Sequence, residues 1–197
     1  SNMTLADQYG SALGTKYGYV THSFNQFIQV DNGKLVGLDQ GDSHPRALVM
    51  LKYPSDLSEG KFAPKSQENG CEEVHFMDFP EGGGNYTGAS VGGFEYSDSA
   101  YLTAGNYDSS GMYSSRNVFV ASVPKSGTTP TVKYFTNYSG EDSASTPYLI
   151  KTGNNQFMLM WSNRGTVYYT VLDGNGNKVG NTYSMTGNLS DCAPSVI

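Results

Sequence analysis

Basic charge is the first scarcity: the 197 residues hold 12 Lys and Arg against 18 Asp and Glu, a net charge of −6. The basic residues are scattered along the chain. Nucleic acid is bound chiefly by clustered cations that neutralise phosphates, so a nucleic-acid partner is excluded. Cysteine is nearly absent. Cys71 and Cys192 could close one internal bridge, and a free or buried pair is equally open, so the redox compartment is undetermined. No apolar run approaches the ~18 residues of a membrane-spanning helix. No stretch sustains apolar spacing at three and four residues either; the nearest, Leu5 to Leu13, is short and broken by Gly10. Helix is therefore expected almost nowhere. Ser1 and Asn2 ahead of Met3 read as a tag remnant, so the lack of a leader peptide excludes nothing.

What the chain has instead is 24 Gly, 15 Tyr and 9 Phe, the material of turns and aromatic strands. It is arranged in a repeat. Ile28 to Asp39 (IQVDNGKLVGLD), Phe94 to Gly105 (FEYSDSAYLTAG) and Ile150 to Trp161 (IKTGNNQFMLMW) align without a gap, each with two strand-like runs flanking a polar turn. An arginine and a third strand follow each copy. A fourth copy is visible at its entrance, where Ser190 to Ile197 (SDCAPSVI) matches Ser143 to Ile150 (SASTPYLI) at serine, proline and isoleucine.

Strands are expected near 26–30, 34–39, 47–52 and 73–79, then 91–96, 100–106, 117–123 and 131–136, then 148–152, 156–162, 166–172 and 178–185. Asp173 to Asn177 (DGNGN) supplies the tight turn between the last two. Internal repetition of this period implies the blades of a β-propeller. The expected fold class is all-β: a β-propeller-like array of four-stranded antiparallel blades, three blades plus the start of a fourth. The blades fall at about 19–80, 81–137 and 138–187, with the next starting at 188–197, after an N-terminal segment at 1–18. Propellers close with about four blades or more, so the chain reads as a fragment of a longer propeller, or as an open array that associates through an exposed sheet edge.

Several short motifs fit catalysis by spelling and fail by context. Gly88 to Gly92 (GASVG) spells the nucleophile elbow, but that motif perches serine on a strand-to-helix turn, and here a strand follows in a glycine-rich loop. Gly41-Asp42-Ser43 matches the opening block of certain esterases, which need a late Asp and His; the last histidine here is His75. The glycines of 82–93 lack the Lys-Ser/Thr ending of a phosphate loop. Asp173, Asn175 and Asn177 alternate like calcium ligands, yet the twelfth position of that loop is Ser184. His22, Asp42 and His44 could meet on neighbouring loops, without the short-spaced histidine pair that zinc favours. No cofactor or metal is expected.

The arginines carry the most functional promise. Arg46, Arg116 and Arg164 are the only three, and each precedes the third strand of its blade, which would put them at comparable heights on one face. Three arginines converging on an anion would be similar to the sialidase propellers, where such a cluster grips a carboxylate by bidentate hydrogen bonds. The repeated Ser-x-Asp-x-Gly-x-Thr-Trp turns of those enzymes are missing. The competing reading is that each arginine pairs with a nearby carboxylate or carbonyl and ties one blade to the next. The candidate ligand-binding set is Arg46, Arg116, Arg164, Asp39, Asp42, His44 and His22, and no residue is assigned as catalytic.

The runs His22 to Phe27, Asp39 to Arg46, Val91 to Glu95, Arg116 to Val120, Thr146 to Ile150, Val167 to Lys178 and Leu189 to Pro194 carry a family resemblance. Together they resemble the repeats of uncharacterised propeller-like proteins of Gram-positive, often gut-dwelling, bacteria, over about 19–197. The resemblance implies a secreted or cell-surface bacterial protein, often joined to other modules, and carries over no catalytic residue. The expected function is a non-catalytic binding or scaffold domain with a protein or glycan ligand, for which Tyr107, Tyr113 and Tyr138 offer flat amphipathic surfaces. The alternative is a glycan-processing hydrolase with two carboxylates roughly 5 to 9.5 Å apart, drawn from Asp39, Asp42 and Glu95.

Overall fold

The computed structural model describes residues 23–41, 47–53, 72–78, 89–108 and 115–190, and among them it contains β-strands and no helix. The chain divides into two units, Ser1–Thr87 and Gly88–Ile197. The first holds β1 (Ser23–Asp31), β2 (Lys34–Gly41), β3 (Ala47–Lys52) and β4 (Glu72–Asp78). The second holds β5 (Ala89–Tyr96), β6 (Ala100–Tyr107), β7 (Asn117–Pro124) and β8 (Thr131–Tyr134), then β9 (Tyr148–Gly153), β10 (Gln156–Asn163), β11 (Thr166–Asp173) and β12 (Lys178–Thr186). Each set of four forms one antiparallel sheet in chain order, here called sheets A, B and C. The all-β, repeated-sheet expectation thus holds, strand for strand. Cys71, Cys192 and most of the Pro/Ser/Gly-rich excursion between β3 and β4 lie outside the described residues.

Turn chemistry explains the short connections. Asn32 and Gly33 join β1 to β2 at φ of 49° and 78°, and Arg164 and Gly165 join β10 to β11 at 48° and 80°. Two successive positive φ values make the two-residue turn whose twist matches that of the flanking strands. At the β11–β12 turn, Asp173 Oδ1 accepts the N–H groups of Asn175 and Asn177, both at 2.9 Å. The expected tight turn is therefore held by its own first side chain. Strand β8 stops two residues short of expectation because Thr136 Oγ1, at 2.9 Å, takes the Val118 N–H that a continued ladder would bond.

The gapless alignment of repeat anchors needs one correction. Ile28 faces Gly37 and Phe94 faces Thr103 across their hairpins. In sheet C an irregularity at Gln156/Phe157 slips the pairing by one, so the matching partner, Leu159, faces Leu149. A one-residue slip reverses faces. Leu149 takes the buried place of Phe94, and Ile150 points to the opposite side, half-buried.

Sheets B and C share one core. From B come Leu102, Ala104, Val118 and Val120; from C come Leu149, Phe157, Leu159, Trp161 and Leu172, with Ala144 of the connecting segment closing one end. Each large side chain fully removed from water contributes about 1.5–3 kcal/mol before the entropy cost of ordering it. The approach is close enough to demand glycine at one point: a Cβ on Gly92 would lie 1.6 Å from the carbonyl oxygen of buried Pro147.

Candidate functional site

Arg116 enters β7 and organises the junction between sheets B and C. Its guanidinium donates to Ser90 Oγ on β5 at 2.7 Å and to Asn106 Oδ1 on β6 at 3.2 Å. Asn106 is buried; its Oδ1 also accepts the Ser90 N–H at 3.1 Å, and its Nδ2 donates to the Ala144 carbonyl at 3.0 Å. The Arg116 main chain is held as well. Its N–H donates to Ser143 Oγ at 3.0 Å, and its carbonyl accepts the Ala144 N–H at 2.9 Å. Ser145 continues the seam, donating its N–H to the Ser162 carbonyl at 2.8 Å and accepting the Ser162 N–H on Oγ at 2.9 Å. This is an interlocking set of short polar side chains around one cation. The two bonds from the charged guanidinium, worth about 1.5–3 kcal/mol each, fix Ser90 and Asn106 within sheet B, and Asn106 in turn holds the linker at the Ala144 carbonyl.

Arg164 lies one residue before the counterpart of Arg116 in the next repeat, Gly165, and does something else. Its side chain is 61% exposed, 3.0 Å from Glu141 Oε2 and 3.9 Å from Asp142 Oδ1. Arg116 and Arg164 share no hydrogen-bond or ion-pair partner among the described residues. Asp39 lies in β2 opposite Val49, half-buried. His22, Asp42, His44 and Arg46 lie outside the described residues, as does Tyr113. Ser90, the serine of the elbow-like motif, sits within β5 as the acceptor from Arg116. Tyr138 accepts the Trp161 indole N–H at 3.1 Å and packs against the core, and burial raises its pKa.

The structure also gathers a group that repeat reasoning missed. Lys151 Nζ stands 4.0 Å from the centroid of Tyr96, and Lys125 Nζ stands 4.8 Å from the same ring and 5.6 Å from that of Tyr101. Beside them, burial pushes the carboxyl of Glu95 above its ordinary range, with the Lys151 charge opposing the shift. Pairs directly opposite on β5 and β6, such as Tyr96 and Tyr101, could have signalled the aromatic half. Nothing in the sequence aligns Lys151 with them. The Asp173 loop is closed by its own amides: burial would raise the carboxyl, but bonds from the Asn177 side chain and the Asn177 and Asn175 main chains hold it below the ordinary value. No cluster of three or more metal-ligating side chains occurs among the described residues, and no helix there is long and apolar enough to cross a membrane.

No protein family, curated protein or solved structure matches the chain.

Proposed function

We propose that the chain is a non-catalytic binding or scaffold domain, with its sheets in a propeller-like arrangement, belonging to a secreted or cell-surface bacterial protein with a protein or glycan ligand. The observation that carries this reading is the use made of the polar residues. Arg116, Asn106, Ser90 and Ser143 spend their hydrogen bonds on one another and on the B–C linker, which is scaffold chemistry. The Tyr96 group, with two ammonium ions against one ring, is the described surface best suited to an acidic glycan or polypeptide. The test is a glycan array together with a panel of acidic peptides, run on the intact chain and on Tyr96→Ala. Binding that the substitution weakens at least about tenfold, roughly 1.4 kcal/mol, supports the reading. Turnover of a fluorogenic glycoside by the chain would replace it with the hydrolase alternative.

A further inference from the structure

Sheet C has one buried face and one open one. Its buried face, carrying Leu149, Phe157, Leu159 and Trp161, packs against sheet B. Strand alternation puts Met158, Met160, Val167 and Tyr169 on the other face. All but Val167 are only partly buried. The row extends onto β12, where Val179, Tyr183 and Met185 are 53%, 56% and 52% exposed and pair across to Val171, Tyr169 and Val167. Contiguous apolar surface of this extent marks an interaction site.

Repeat equivalence says what the surface is built for. Asn106 faces Val118 and Ala104 faces Val120 in sheet B; Ser162 faces Val167 and Met160 faces Tyr169 in sheet C. The open face of sheet C is therefore the counterpart, position for position, of the face of sheet B on which sheet C sits. The exit from sheet C is bonded to the connection that corresponds to the one the exit from sheet B bonds. Where Ser143 and Ala144 bond the main chain of Arg116 at the β6–β7 connection, Asn188 Oδ1 accepts the Gly165 N–H at 3.1 Å and Leu189 donates to Ser162 Oγ at 3.2 Å, at the β10–β11 connection. Ser190 and Pro194 then repeat Ser143 and Pro147 in sequence.

We propose that the open face of sheet C is the seat of a further four-stranded sheet of this same repeat, joined in cis through the linker that begins at Asn188. Its occupant presents a large apolar face like that of Leu149, Phe157 and Trp161, and packs as sheet C packs on sheet B. The proposal rests on the sheets themselves and is independent of any ligand.

The test extends the chain in repeat register, with residues 1–190 followed by a second copy of residues 144–190, and compares it with the 197-residue chain. The expected result is a protease-resistant extension and slower amide exchange in β10 and β11 of the first copy. Met160→Glu with Tyr169→Lys in the first copy should restore cleavage of the extension while the first 190 residues keep their β-sheet circular dichroism. An extension that stays cleavable, with amide exchange in β10 and β11 of the first copy unchanged, overturns the proposal. So does a 197-residue chain that sediments as a dimer dispersed by Met160→Glu, because a second copy would then own the face.

Discussion

Sheets B and C have the same strand order and share a core, yet they differ in how many faces are closed. In sheet B, Leu102 and Val118 are buried on one side, and Phe94, Thr103 and Phe119 on the other. In sheet C, the side bearing Phe157 and Leu159 is closed, the other side is buried only at Ser162 and Val167, and every residue of β12 is exposed. Alternation along a strand determines which residues share a face, and what lies beyond the sheet determines whether that face is core. The same contrast divides the two arginines. At the junction between B and C, Arg116 is half-buried among neutral oxygens; at the β10–β11 turn, Arg164 is exposed and pairs with Glu141 and Asp142 of the segment between β8 and β9.

The severest way to break sheet B from sheet C is Gly92→Ala. A methyl group 1.6 Å from a backbone oxygen has no room unless the strand or linker moves. The expected loss is about 3 kcal/mol or more, measured by urea unfolding. Next comes Asn106→Ala, which strips partners from Arg116, Ser90 and the Ala144 carbonyl together. A loss of about 1–3 kcal/mol is expected, and a wild-type midpoint would mean that the polar seam contributes nothing. For Arg164→Asn the change should stay within about 0.5 kcal/mol of zero, since an exposed ion pair is lost while asparagine better tolerates the positive φ.

Smaller still are the pH effects, which have opposite signs. The Asp173 carboxyl is held below its ordinary value of 3.8, so its contribution is present above that value and is lost as pH falls through the lowered pKa. Asp173→Ala should flatten that acid limb. In sheet A the imidazole of His75 bonds Glu73, with Asp78 3.5 Å away; the Glu73 bond raises its pKa above 6.5 against burial. Its contribution is full below 6.5 and is lost as pH rises through the raised value. His75→Gln should remove that alkaline decline and leave the acid limb intact.

Strand positions were legible because period-two patterning and turn residues mark them locally. Lys34–Gly41 and Ala100–Tyr107 fall where the hairpin pattern puts them. The slip at Gln156/Phe157 was hidden, because a gapless alignment gives no sign that one residue is taken up by an irregular pairing. The arginines looked alike because both precede a third strand. Their difference lies in the connection: Arg164 is the first residue of a two-residue turn next to Gly165, whereas Arg116 follows a longer loop. An Arg-Gly pair between two strong strands is a readable turn signal, and it places that side chain at a solvent-facing tip. The Tyr96 group depends on Lys151 arriving from another sheet, and no local pattern encodes that.

The most direct test of these faces uses neighbours on one strand. Leu159 is fully buried toward sheet B, and Met160 points the other way. Leu159→Ala should cost about 2–5 kcal/mol and Met160→Ala less than about 1, by urea unfolding of the 197-residue chain. Equal losses would contradict the assignment of one closed and one open face to sheet C.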